Sequence, residues 1–162
     1  MQTKVDKALE NIAKIGWSPV SYSHHPAHIK QAIRASGLRP ATKQCYANSQ
    51  KAVVCQAIVN LEYAEGIVFT DGGFYISHAW VVDEKGGHHD LTLNPMPKII
   101  CHKTYSSEEV RKEMIKSGVY DPMNWKWLEV MLMAVKMNLP IDLPFEIIEK
   151  NIEDRINKIG SF

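Results

Sequence analysis

Three residues suited to thiol chemistry follow one another along the chain: Cys45, His78 and Asp90. Cys45 stands in Lys43-Gln44-Cys45-Tyr46-Ala47-Asn48, where a loop containing Pro40 gives way to a helical pattern. Backbone N–H groups at a helix start have no intrahelical partner and carry the positive end of the helix dipole. A thiolate placed there is stabilised and is nucleophilic near neutral pH. The plainer alternative is a cysteine serving as a small core hydrophobe. His78 lies in Ile76-Ser77-His78-Ala79-Trp80-Val81-Val82. Strand alternation puts it on one face with Ile76, Trp80 and Val82. A histidine becomes a base for a thiol when a third group orients its ring. Asp90, in His88-His89-Asp90-Leu91-Thr92, is the candidate for that role.

Whether Asp90 reaches His78 depends on hairpin register. Glu84-Lys85-Gly86 reads as a three-residue loop, a type I turn with Gly86 in the left-handed position. Asp83 then opposes Gly87, Trp80 opposes Asp90, and His78 opposes Thr92. Asp90 falls on the face of His78 and diagonal to it. A loop one residue shorter or longer would turn it to the opposite face.

The elements that must position these residues come in three groups. Helical spacing covers residues 3–15, closed by Gly16, then 26–35 with Pro26 at the start and Gly37 after the end, then 44–61. Residues 38–43 form a loop. Segments 62–70, 74–83 and 87–93 are rich in β-branched and aromatic residues and are divided by Asp71-Gly72-Gly73 and Glu84-Lys85-Gly86. They predict a three-stranded antiparallel meander that Pro95 and Pro97 end. Ser106-Ser107-Glu108-Glu109 has the form of a capping box, opening a helix to Lys116 that Gly118 closes. Helices over 122–138 and 144–158 follow. Helices, sheet, helices is an α+β order rather than a repeating βαβ one.

Length and composition suit one ordinary domain spanning 1–162. The 162 residues are 45% hydrophobic and 23% charged, which argues against disorder. Lys+Arg 19 against Asp+Glu 18 gives a net charge of +1, so no whole-protein field favours general nucleic-acid or membrane binding. The longest apolar run, near 130–135, is far below the ~20 residues of a membrane span. The start, Met-Gln-Thr-Lys-Val-Asp-Lys, builds no apolar signal core. Three irregularly spaced cysteines suggest a reducing compartment, hence a cytoplasmic protein. Cys55, inside a helical pattern, and Cys101, in the extended Ile99-Ile100-Cys101, read as structural.

Cysteine at a helix start, histidine on a strand and aspartate on the next make a nucleophile, base and orienter in chain order. Cys45-Tyr46-x-Asn48, Tyr63-x-Glu65-Gly66, His78-Ala79-Trp80 and Asp90-x-Thr92 together resemble the transglutaminase-like branch of papain-like cysteine enzymes. Within that branch the chain is similar to small bacterial and phage members, and the likeness covers about 44–93; the helical flanks, 1–43 and 104–162, match nothing recognisable. The resemblance implies a nucleophile helix packed on an antiparallel sheet that carries the histidine and aspartate. It implies acyl transfer at amides by a Cys45–His78–Asp90 triad through a thioester: hydrolysis, deamidation or transfer to an amine. The substrate would be an amide-bearing small molecule or protein, with no cofactor. Leu91 stands where the family often has Pro or Ala, and Tyr46 where animal transglutaminases have Trp.

For the oxyanion, the Cys45 N–H is the natural first donor and a side-chain amide the second, with Gln44 preferred and Asn48 the other choice. Tyr63 and Glu65 share a strand face and are candidates to line the site, as is Trp80; a solvated strand face would explain the first two equally well. A rival reading is metal binding by a histidine and cysteine cluster, since His24, His25 and His28 group together and His88-His89 adjoin Asp90. No familiar zinc spacing is present, and neighbouring His88 and His89 point to opposite faces. A third reading is a non-catalytic interaction module, for which Trp125, Trp127, Met131, Met133 and Met137 would form a partner surface. Residues of these types at helical spacing also suit an ordinary core.

Overall fold

The computed structural model describes residues 18–20, 27–69, 74–92, 98–141 and 143–161. The helix expected over 3–15 and the Asp71-Gly72-Gly73 turn lie outside these residues. In chain order the elements are β1 (Ser18–Val20), α1 (Ala27–Ala35), α2 (Cys45–Val54), β2 (Glu62–Phe69), β3 (Tyr75–Val82) and β4 (His88–His89). They are followed by β5 (Lys98–Tyr105), α3 (Ser107–Ser117), α4 (Trp125–Lys136) and α5 (Phe145–Gly160). This is the expected α+β class.

The sheet is larger than the expected meander. Among the described residues it has five strands in the order β1-β5-β2-β3-β4, every neighbouring pair antiparallel. The pairing of β2, β3 and β4 follows the expected order, but the sheet does not end at Pro95 and Pro97. β5 resumes pairing at Lys98, opposite Phe69, because a proline removes a donor only at its own position. β2 therefore becomes a central strand flanked by β3 and β5. The β2–β5 register slips between Glu65, which faces Lys103, and Gly66, which faces Cys101, leaving His102 as the extra residue of a bulge.

One face of the sheet carries the helices. Tyr63, Ala79 and Val81 pack with Ile29 and Ile33 of α1, Ala52 and Val53 of α2, and Val110 of α3. Further along that face, Ile67 packs with Met131 and Ala134 of α4 and Ile148 and Ile152 of α5. Burying one such large apolar side chain contributes about 1.5–3 kcal/mol. Ala64, Val68, Trp80 and Val82 form a separate buried cluster, as strand alternation requires of even-numbered positions. Across β2 and β3, Ala64 opposes Trp80 and Gly66 opposes His78, so small residues face the two large rings.

Helix ends explain where the elements stop. Ser106 accepts from the Glu109 N–H while Glu109 accepts from the Ser106 N–H, and Gly118 closes α3 in the left-handed region at φ 74°. α2 is shorter than its apolar pattern. It stops at Val54, with Cys55 as C-cap and Gln56 left-handed at φ 49°. The Gln56 N–H donates to Val53 O and the Ala57 N–H to Ala52 O, the paired bonds of a Schellman motif. Cys55 is thus an exposed cap residue, not an interior one. α4 ends the same way through Asn138 at φ 55°.

Candidate active site

Lys43, left-handed at φ 61°, and Gln44 lead into α2, and Cys45 is its first residue. Gln44 N-caps the helix without a side-chain hydrogen bond, so no side chain caps the first turn. Cys45 is half-buried.

The hairpin that delivers the carboxylate has the expected register. Val81 opposes His89 and Val82 opposes His88. The Gly86 N–H donates to Asp83 O, the Asp83 N–H donates to Gly87 O, and Gly86 sits at φ 79°. Those bonds define the three-residue loop with its left-handed glycine. Beyond the β4 ladder Asp90 turns back on itself, its Oδ1 accepting from the Thr92 N–H at 2.7 Å. Its Oδ2 stands 2.6 Å from His78 Nε2, and both residues are buried.

With Nε2 committed to Asp90, His78 has Nδ1 left, and the Cys45 thiol lies near enough to the ring to raise its pKa. Burial disfavours the charged ring, but the Asp90 bond and the nearby Cys45 sulfur outweigh it and raise the His78 pKa from 6.5 to about 9. Trp80 stacks behind the imidazole at 6.3 Å between centroids. The indole is itself held by its N–H donating to His88 Nδ1 at 2.8 Å. Accepting at Nδ1 leaves His88 neutral, with its proton on Nε2, and burial lowers its pKa further.

The contact between helix and strand differs from a helix lying over the two partners. α2 packs on the odd-numbered face of β3, whereas His78 belongs to the even-numbered one. β4 pairs only with Val81 and Val82, so no β4 ladder covers the edge of β3 at His78. At that edge the Cys45 thiol, at the start of α2, acts on the His78 ring.

The other expected site residues have different surroundings. Asn48 is a clamp: its Oδ1 accepts from the Ala41 N–H at 3.0 Å, and its Nδ2 donates to Ala41 O at 2.7 Å and to Thr92 Oγ1 at 2.9 Å. Those bonds occupy both ends of its amide, which corrects its candidacy as an oxyanion donor. Tyr63 and Glu65 are fully buried rather than solvated. The Tyr63 hydroxyl donates to Glu65 Oε2 at 2.8 Å, and the Met123 and Asn124 N–H groups donate to the same carboxylate at 2.9 and 2.8 Å. Burial raises the Glu65 pKa, against the pull of these three donors. Glu65 therefore anchors the entry to α4. Trp80, with no exposed surface, backs the imidazole and offers no face to a substrate. Gln44 is exposed beside Cys45.

Residues outside the expected set complete the site's support. The Tyr46 phenol is pushed well up by burial, with Ser77 acting against that and the charges of Cys45 and Glu65 adding to it. Gln50, buried one helical turn on, donates to Asp121 O at 2.6 Å. A cleft of about 140 Å³ runs between Gly37–Pro40 and the α2 face made by Gln44, Asn48 and Lys51. The only advance signal of these was the i, i+4 spacing of Tyr46 and Gln50.

No family model, curated protein or solved structure matches the chain. Among the described residues no group of three or more His, Cys, Asp and Glu is placed to hold a metal ion. His88 is engaged by Trp80, and His89 Nε2 lies 2.7 Å from Asp83 Oδ2, so the two adjacent histidines diverge. His24 and His25 lie outside the described residues. The expected partner surface on α4 is divided: Met131 is buried and Trp127 packs against the core, while Trp125 is 52% exposed. Among the described residues no helix is long and apolar enough to cross a membrane.

Proposed function

We propose that this protein is a thiol-dependent acyl-transfer enzyme acting on an amide through Cys45, His78 and Asp90, on a core of the transglutaminase-like kind. The observation that carries this reading is the buried His78–Asp90 pair, 2.6 Å apart at Nε2, with the Cys45 thiol acting on the same ring.

The reaction starts when the His78 ring takes the Cys45 proton, giving a thiolate and an imidazolium. Cys45 Sγ attacks the amide carbonyl carbon, forming a C–S bond and placing negative charge on the carbonyl oxygen. The Cys45 backbone N–H and the Gln44 side-chain amide are the donors for that oxygen. The C–N bond breaks as imidazolium passes its proton to the departing nitrogen, leaving a thioester. His78, now neutral, takes a proton from water or an amine as that nucleophile attacks the thioester. The C–S bond then breaks, releasing an acid or a new amide and restoring the thiolate–imidazolium pair. Asp90 keeps the ring's Nδ1 aimed at sulfur throughout.

The test is turnover of a panel of amide donors, with water and with a primary amine as acceptor, by the native chain and by Cys45→Ala and His78→Ala. Groups acting as a unit each remove about 10⁴ or more of the rate, non-additively. Undiminished turnover in Cys45→Ala would overturn the proposal.

A further inference from the structure

The cleft lined by Gln44, the residue before Cys45 in the chain, has a cationic residue on each wall. Between Glu10 and Glu62 the chain has no acidic residue, yet it carries Lys14, Lys30, Arg34, Arg39, Lys43 and Lys51. That block is offset elsewhere in a chain of net charge +1, so the asymmetry is local to the segment that builds the site. Arg39 stands on the loop wall and Lys51 on the helix wall, and among the described residues no acidic side chain lines the space between them.

The cleft is built rather than incidental. Asn48 ties the loop to the helix by bonding both the N–H and the C=O of Ala41. The Arg39 guanidinium is steadied by Nη1 donating to Leu38 O at 3.1 Å. The Lys51 ammonium lies 5.0 Å over the Tyr120 ring. Gln44, Asn48 and Lys51 recur at i, i+4 and i+7, so they share one helix face, and Gln44 is bonded directly to Cys45. Lys51 is about 9 Å further along the axis at 1.5 Å per residue. That span is within the Debye length of about 10 Å at 0.1 M salt.

We propose that the acyl donor carries an anionic group close to its scissile amide, and that the Arg39–Lys51 cleft receives this group. The inference rests on the thiol acyl-transfer reading and narrows it to anionic amides, whether the charge is a carboxylate or a phosphate. A positive cleft with fixed walls raises the local concentration of such a donor and sets which side of the carbonyl faces sulfur.

Two alkylating agents of nearly equal size supply the test, iodoacetate as the anion and iodoacetamide as its neutral counterpart. Labelling rates at Cys45 and Cys55 are followed by mass spectrometry, and the iodoacetate-to-iodoacetamide ratio at each is the readout. The ratio cancels the intrinsic reactivity of the thiol. Because His78 also attracts an anion, the cleft's share is read from Arg39→Glu and Lys51→Gln, which should lower the Cys45 ratio by about tenfold together. The Cys55 ratio serves as the control. In the unaltered protein the Cys45 ratio should fall steeply between 0.02 and 0.3 M salt, which keeps the test open if a variant fails to fold. A final arm measures protection of Cys45 from iodoacetate by inorganic phosphate and by succinate, which separates the two sources of charge. A Cys45 ratio unmoved by the substitutions, or Cys45 left unprotected by both anions in the unaltered protein, overturns the anionic-donor inference alone. Failure of iodoacetamide to favour Cys45 over Cys55 overturns the acyl-transfer reading beneath it.

Discussion

Asp90 meets His78 at 2.6 Å because Gly86, four residues earlier, turns the chain in the left-handed region at φ 79°. The glycine sets a three-residue loop, the loop sets the register, and the register places the carboxylate on the face of the imidazole. A Cβ at Gly86 would meet nothing within 4 Å, so the glycine is there for its backbone and not for space.

Deleting Lys85 shortens this loop and rotates Asp90 away from His78. The variant is expected to lose turnover to the extent that Asp90→Asn does, about 10⁴ by analogy with the serine-protease triad. Steady-state kinetics on the best amide donor checks it. A Lys85 deletion with native rates would mean that register does not govern the site.

Of the two cysteines whose side chains are described, Cys55 is exposed and Cys45 half-buried. If access alone decided, Cys55 would alkylate faster. Contact with His78 and the helix start reverses that order: iodoacetamide at pH 7 should label Cys45 at least about tenfold faster. His78→Ala should slow Cys45 and leave Cys55 unchanged, as peptide mass mapping over time would show.

The His78 ring should also make stability depend on pH. Its pKa rises from 6.5 to about 9 in the folded chain, with Asp90 and Cys45 outweighing the opposing effect of burial. A raised pKa means that the folded state binds the proton more tightly. The resulting stability is complete below pH 6.5 and is lost as pH climbs through about 9. Urea unfolding at pH 6.5 and 9.5 should show a fall in the native protein and a smaller one in Asp90→Asn. Parallel losses in the two proteins would refute this.

Glu65 offers a separate test of support beneath the site. Its carboxylate accepts from the Tyr63 hydroxyl and from the Met123 and Asn124 N–H groups. Glu65→Gln replaces an accepting oxygen by an NH₂ group that faces donors. Leaving buried donors unsatisfied costs about 1–3 kcal/mol each, so the urea midpoint should drop accordingly. Glu65→Asp, too short to span the same partners, should do no better.

Features set by residues close together in the chain are legible before folding. Ser106 and Glu109 are three positions apart and cap α3 as their spacing requires. Glu84-Lys85-Gly86 set the hairpin, and through it the meeting of His78 with Asp90, because a left-handed glycine leaves little choice of turn. The tertiary structure decided whatever depends on partners distant along the chain. β5 joins β2 after Pro97, with a bulge at His102 that no local pattern announces. Glu65 becomes an anchor because Met123 and Asn124, far along the chain, arrive over it. Asn48 becomes a clamp because Thr92 and Ala41 converge on its amide. α2 ends at a left-handed Gln56 where no glycine marks the stop. Local backbone preferences act within a turn or two, whereas these pairings are chosen by which buried donors and acceptors the packed chain brings together.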